Sequence, residues 1–187
     1  HAMAWMSDVC EQRFSGFKLS SCKSFKVLNG IKFDKTKSSQ YFLELKEIEE
    51  ENEICKEFEV NVSSNYRQGN TKNNQPRYHY SSIVSLVQQS TKTPFLENTD
   101  ISNTENKPGS SFYEDGTLFH GHKFQGINKL LKINEKGLVL ECRLEEISVS
   151  EQGQFASQTF NPFAVDLGFQ AMLVWSRNYY QSGSLPL

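Results

Sequence analysis

The stretch Pro162-Phe163-Ala164-Val165-Asp166-Leu167-Gly168-Phe169-Gln170-Ala171-Met172-Leu173-Val174-Trp175 is apolar with few interruptions. Asn161 before it reads as an N-cap and Pro162 as the first helical residue, so the segment starts a helix. A helix that is apolar nearly all round is buried on every side, wrapped by other structure. It is not a membrane span, because no run in the chain approaches 18 uncharged apolar residues.

The wrapping material has to be β-structure. Residues 2–14 read as one more helix, with Trp5 and Val9 spaced i, i+4 and Met6, Cys10 and Phe14 as a neighbouring ridge. Asp8, Glu11 and Gln12 fall on its other faces, and Gly16 suits the turn after its end. Short β-type runs follow. Phe25–Leu28 and Ile31–Phe33 flank the turn pair Asn29-Gly30, Tyr41–Leu45 and Phe58–Val62 alternate, and Tyr78–Val87 forms one more. Six glutamates between Glu47 and Glu57 read as a solvated hairpin or loop, and residues 67–76 as a polar loop. Residues from about 90 to 110 are polar and carry Pro94, Pro108 and Gly109, which marks a linker. Strand-like runs then lie near Lys129–Ile133 and Leu138–Leu144, ahead of the apolar helix.

The order helix, strands, linker, strands, helix does not alternate as βαβ units do. It predicts an α+β fold with each long helix on an antiparallel sheet, divided into 1–90, a linker 91–110, and 111–187. Twenty basic against 22 acidic residues leave a net charge of −2, which argues against nucleic acid and anionic membranes as partners. Cys10, Cys22, Cys55 and Cys142 form no C-x-x-C pair and read as free, mostly buried thiols of a reducing, cytoplasmic setting.

Asp166 is the only ionisable group in the apolar helix before Arg177. Gln170, four residues on, shares its face. Burial of a carboxyl favours the neutral acid, and an amide can hold it in one orientation, which together describe a general acid. The helix dipole favours the anion instead. A structural aspartate bonded to backbone amides of a nearby loop is an equal alternative on pattern alone. His120-Gly121-His122 could place two imidazoles on one side of a strand as metal ligands, but a two-ligand set falls short of a metal site, and a loop lining a cleft is the stronger reading. His79, between two tyrosines in a strand, reads as structural.

Phe112-Tyr113-x-x-Gly116, followed by Phe119-His120-Gly121-His122-Lys123-Phe124-Gln125-Gly126-Ile127, resembles the Y-G-P-x-F-Q-G-[LI] segment of dehydratase domains. These are the double hot-dog domains of polyketide synthases and of polyketide-type polyunsaturated fatty acid synthases. Asp166-Leu-Gly-Phe-Gln170 is similar to the family's D-x-x-x-Q motif, and Gly183–Pro186 to the strand start that follows it. The first part of the chain resembles the end of the first hot-dog's central helix and its sheet. The family's H-x-x-x-G-x-x-x-x-P motif is absent, so the resemblance implies a fragment, incomplete at both ends, whose catalytic histidine lies upstream.

The resemblance implies dehydration of 3-hydroxyacyl thioesters on an acyl carrier protein to trans-2-enoyl products. Asp166 would be the acid and Gln170 its holder, with Phe119, His120, Gly121, His122 and Phe124 at the substrate. No cofactor is implied beyond the carrier's phosphopantetheine, and the partners would be the carrier, neighbouring synthase domains and a second copy in a homodimer. A non-catalytic hot-dog scaffold, a hot-dog thioesterase and a small metal module on His120 and His122 are the alternatives.

Overall fold

The computed structural model describes residues 1–31, 40–52, 54–66, 75–88, 105–146, 148 and 159–181. The chain divides into two compact units, His1–Lys92 with Val149–Phe160, and Thr93–Ser148 with Asn161–Leu187. Among the described residues no helix is long and apolar enough to cross a membrane.

In the first unit, helix α1 (Ala2–Arg13) precedes four strands: β1 (Lys18–Val27), β2 (Tyr41–Asn52), β3 (Cys55–Tyr66) and β4 (Gln75–Val87). They form one antiparallel sheet in the order β1-β4-β3-β2. Alternation decides which face meets the helix. Phe58, Val60 and Val62 on β3 and Val84 and Leu86 on β4 are buried together with Met6 and Cys10 of α1. The Glu47–Glu57 run lies on the β2–β3 hairpin, where Glu47 stands opposite Phe58 and Glu49 opposite Glu57. Glu53 is outside the described residues.

Asp8 and Glu11, on the other faces of α1, are buried, at 3% and 6% exposure. The reason for Glu11 is the left-handed turn at Gly16 (φ +88°), after which β1 runs back beside the helix. Leu19 N then donates to Glu11 Oε1 at 2.6 Å, and Lys18 Nζ lies 3.7 Å from Oε2. The run expected at Ile31–Phe33 after the Asn29-Gly30 turn lies largely outside the described residues. Asn29 itself docks on β4: its side chain donates to Tyr78 O and accepts from Arg77, and its backbone N–H donates to His79 O. His79 is structural, buried between Asn29 O (Nδ1, 3.0 Å) and the Ser64 hydroxyl (Nε2, 2.8 Å). A carbonyl can only accept, so Nδ1 carries the proton.

The second unit holds β5 (Lys107–Pro108), α2 (Ser110–Glu114), β6 (Ile127–Asn134), β7 (Gly137–Cys142) and α3 (Pro162–Tyr180), with an antiparallel sheet in the order β5-β6-β7. Residues 105–110, inside the expected linker, are thus built into this unit, while 91–104 are outside the described residues, as are most of the 67–76 loop and Gly183–Pro186. Gly109 is obligatory, because a Cβ there would stand 1.9 Å from Ile127 O. Strand β7 ends at Cys142, so Leu144 is left out of the sheet and exposed. All four cysteines are free, but they are not mostly buried: Cys10 is buried, Cys22 and Cys55 half-buried and Cys142 exposed.

Helix α3 begins as its sequence demands, with Asn161 Oδ1 accepting from Phe163 N and Ala164 N and proline in the first turn. It buries a stripe of Phe163, Leu167, Gln170, Leu173 and Val174 against Phe112, Leu118, Ile127 and Leu130. The opposite line, Ala164, Gly168 and Met172, is exposed. Burial on every side, expected from the composition, therefore does not hold. One sheet covers one side of a helix, and among the described residues the β5-β6-β7 sheet covers the stripe.

Candidate active site

Gln170 is the pivot of the site. It is 0% exposed, in the middle of the buried stripe of α3. Its amide Nε2 donates to Phe124 O at 2.8 Å and to Asp166 Oδ2 at 2.6 Å. Its Oε1 accepts from the Tyr113 hydroxyl at 2.7 Å, and that hydroxyl accepts from Ile127 N at 3.2 Å. Each direction is forced. Phe124 O can only accept and Ile127 N can only donate, so the amide has one orientation and the phenol one proton direction. Burial pushes the Tyr113 phenol above its ordinary value of 10.0, keeping the donor protonated.

The consequence reaches Asp166. Its Oδ2 accepts from Gln170, which favours Oδ1 as the oxygen that carries any proton of the carboxyl. The carboxyl is not fully enclosed, since its side chain is 27% exposed, which corrects the expectation of a dry aspartate. Among the described residues no loop amide holds it. The loop's backbone binds Gln170, and Gln170 binds Asp166.

His120 is the third polar group. Its Nε2 lies 3.5 Å from Asp166 Oδ2, its side chain is 11% exposed, and its Nδ1 is buried with no hydrogen-bond partner among the described residues. The Phe119 ring stacks on it at 4.6 Å and is itself 71% exposed. Gln125 Nε2 donates to His120 O and steadies the loop. His122 does not share a strand face with His120: it is exposed and starts the 3-10 turn His122–Phe124, with Gly121 in extended backbone before it. No group of three or more His, Cys, Asp or Glu among the described residues is placed to hold a metal ion. The Phe124 ring packs on Phe163 at 4.8 Å, so it anchors the turn to α3. A cleft of about 180 Å³ lies beside this anchor, walled by Gln125, Asn128, Arg143 and Leu167, and Asp166 is outside its wall.

Of the residues singled out from sequence, Asp166, Gln170, His120 and Phe124 converge, while Phe119 caps His120, and Gly121 and His122 lie at the surface. Tyr113 is the site residue that sequence reasoning misses. The signal for it is present: a tyrosine beside a buried phenylalanine needs a partner for its hydroxyl.

No protein-family model matches the chain. Among solved structures, the crystal structure of the dehydratase domain of RzxB from Pseudomonas fluorescens superposes with a TM-score of 0.57 at 13% identity, covering 88% of this chain and 54% of that one. The chain has the fold of a dehydratase hot-dog domain. Over 79 residues, 41% of the chain, it is 42% identical to a polyunsaturated fatty acid synthase polypeptide of Thraustochytrium sp., and that match spans 3% of the synthase polypeptide's length. Both likenesses support the hot-dog dehydratase resemblance carried by the Phe119–Ile127 and Asp166–Gln170 motifs. The α+β class expected from the order of elements is the class of this dehydratase fold.

Proposed function

We propose that this dehydratase-type domain serves a synthase of the polyunsaturated fatty acid class by dehydrating 3-hydroxyacyl thioesters held on an acyl carrier protein. The observation that carries the reading is the one-directional network Ile127–Tyr113–Gln170–Asp166, which favours Oδ1 of Asp166 as the oxygen that holds a proton. A base removes the α-proton of the thioester. The electron pair forms the Cα=Cβ double bond as the Cβ–O bond breaks. Asp166 Oδ1 gives its proton to the departing oxygen, and water and the trans-2-enoyl thioester leave. The base, by the resemblance, is the histidine of the family's H-x-x-x-G-x-x-x-x-P motif, which these 187 residues do not contain, and the elimination is redox-neutral.

Within the same reading, the carrier, the adjoining synthase domains and a second copy of the domain are the partners. The test is Asp166→Asn in the complete gene product, assayed with a 3-hydroxyacyl carrier substrate beside a thermal melt. The variant keeps size and hydrogen bonding but has no acid proton, so turnover falls by roughly 10²–10⁴-fold at unchanged stability. Near-full activity per folded molecule removes the acid role and leaves a scaffold domain in its place.

A further inference from the structure

We propose that His120 is a positioning residue for Asp166, bound through its Nε2–H to Oδ2; the proposal rests on the acid role given to Asp166 above. The direction of the hydrogen-bond network sets the first condition. Gln170 donates to Oδ2, which makes Oδ2 an acceptor whether Asp166 is ionised or carries its proton on Oδ1. With Oδ2 accepting, the histidine nitrogen that faces it is the one assigned the proton. This gives His120 the Nε2–H tautomer, the reverse of His79, whose carbonyl partner puts the proton on Nδ1.

Enclosure of the ring sets the second. His120 Nδ1 is sealed from solvent and from partners among the described residues, so the ring has one polar direction, toward Asp166. Phe119 lies flat on the imidazole at an interplanar angle of 19° and limits its rotation. Gln125 ties the His120 carbonyl to the next turn of the same loop. The loop therefore supplies one donor to Oδ2 and helix α3 supplies the other. Two donors on one oxygen hold the carboxyl plane, so Oδ1 is presented in one direction. The 3.5 Å separation is at the long limit of a hydrogen bond.

The tautomer is read directly by long-range ¹H–¹⁵N correlation spectra of the imidazoles in the 187-residue chain. The expected result is an Nε2–H pattern for His120 that shifts in Asp166→Asn, beside an Nδ1–H pattern for His79. An Nδ1–H pattern for His120, or one indifferent to Asp166→Asn, overturns the pairing. In the complete gene product, His120→Phe should lower kcat by roughly 10- to 100-fold, the worth of one hydrogen bond to a charged group, with KM little changed. His120→Gln, whose amide can reach the same oxygen, should recover most of the loss. A loss confined to KM, or one that His120→Gln fails to relieve while melting normally, refutes positioning. The two readings fail separately: an active Asp166→Asn enzyme removes the acid, whereas a wrong tautomer removes His120 and leaves the acid standing.

Discussion

Replacing Gln170 by methionine keeps the length and volume of the side chain and removes every hydrogen bond it makes. Three groups then lose a partner: the Tyr113 hydroxyl, the Phe124 carbonyl and Asp166 Oδ2. A buried neutral group left unsatisfied costs about 1–3 kcal/mol. Tyr113 and Phe124 are half-buried, so the lower part of that range applies to each. Asp166 is 27% exposed and water replaces its lost donor, so it adds little. The sum is about 2–4 kcal/mol, or a fall of about 1–2 M in the urea midpoint at constant slope.

The chain has two tryptophans, and the two units hold one each: Trp5 in the first and Trp175 in the second. In a Trp5→Phe background, fluorescence reports the unit that contains Gln170. Tyr113→Phe breaks the same network from the other end and should cost about 1–2 kcal/mol. In the double variant the two losses should fall short of additivity by at least roughly 0.5 kcal/mol, the lower bound for residues of one network. A Gln170→Met midpoint within about 0.3 M of the parent, or strict additivity with Tyr113→Phe, refutes the buried network as described.

Asn161→Ala removes the acceptor for two backbone amides at the start of α3 and should cost about 1 kcal/mol in the Trp175 transition. Burial pushes the Cys10 thiol from the ordinary 9.0 up to about 12, so the folded state keeps a proton that the unfolded chain gives up. The stability this supplies is complete below pH 9.0 and is lost as pH rises toward 12; Cys10→Ala should remove that part of the alkaline slope, read by Trp5 fluorescence. The 187 residues alone should not turn over a 3-hydroxyacyl carrier substrate, because they contain no H-x-x-x-G-x-x-x-x-P histidine; enoyl product formed by this chain alone would refute the acid–base pair.

Elements with a strong local signal were legible in the sequence, because their cause is local. Asn161-Pro162 starts a helix by its own capping chemistry, and Phe58–Val62 alternates because one face of a strand is buried whatever lies opposite. Positions set by a distant partner were not. Glu11 is buried because β1 turns back beside it, and Asn29 is held by the carbonyl of His79, far along the chain on β4. In the site, the i, i+4 relation of Asp166 and Gln170 can be read from spacing. The Tyr113 hydroxyl reaches that pair through Gln170 and the His120 ring reaches the carboxyl from its loop, placements no periodicity encodes.

A side-chain amide holds its hydrogens too firmly to hand them on. The wire of bonds from Ile127 through Tyr113 and Gln170 is therefore an insulator for protons at its last link, although it is continuous in geometry. If Asp166 gives up a proton as proposed, it cannot be recharged from the interior along that route. The proton then comes back from the solvent side, or across the His120 contact, whose far nitrogen is buried with no partner among the described residues. The same amide that aims the carboxyl also decides from which direction it can be reloaded.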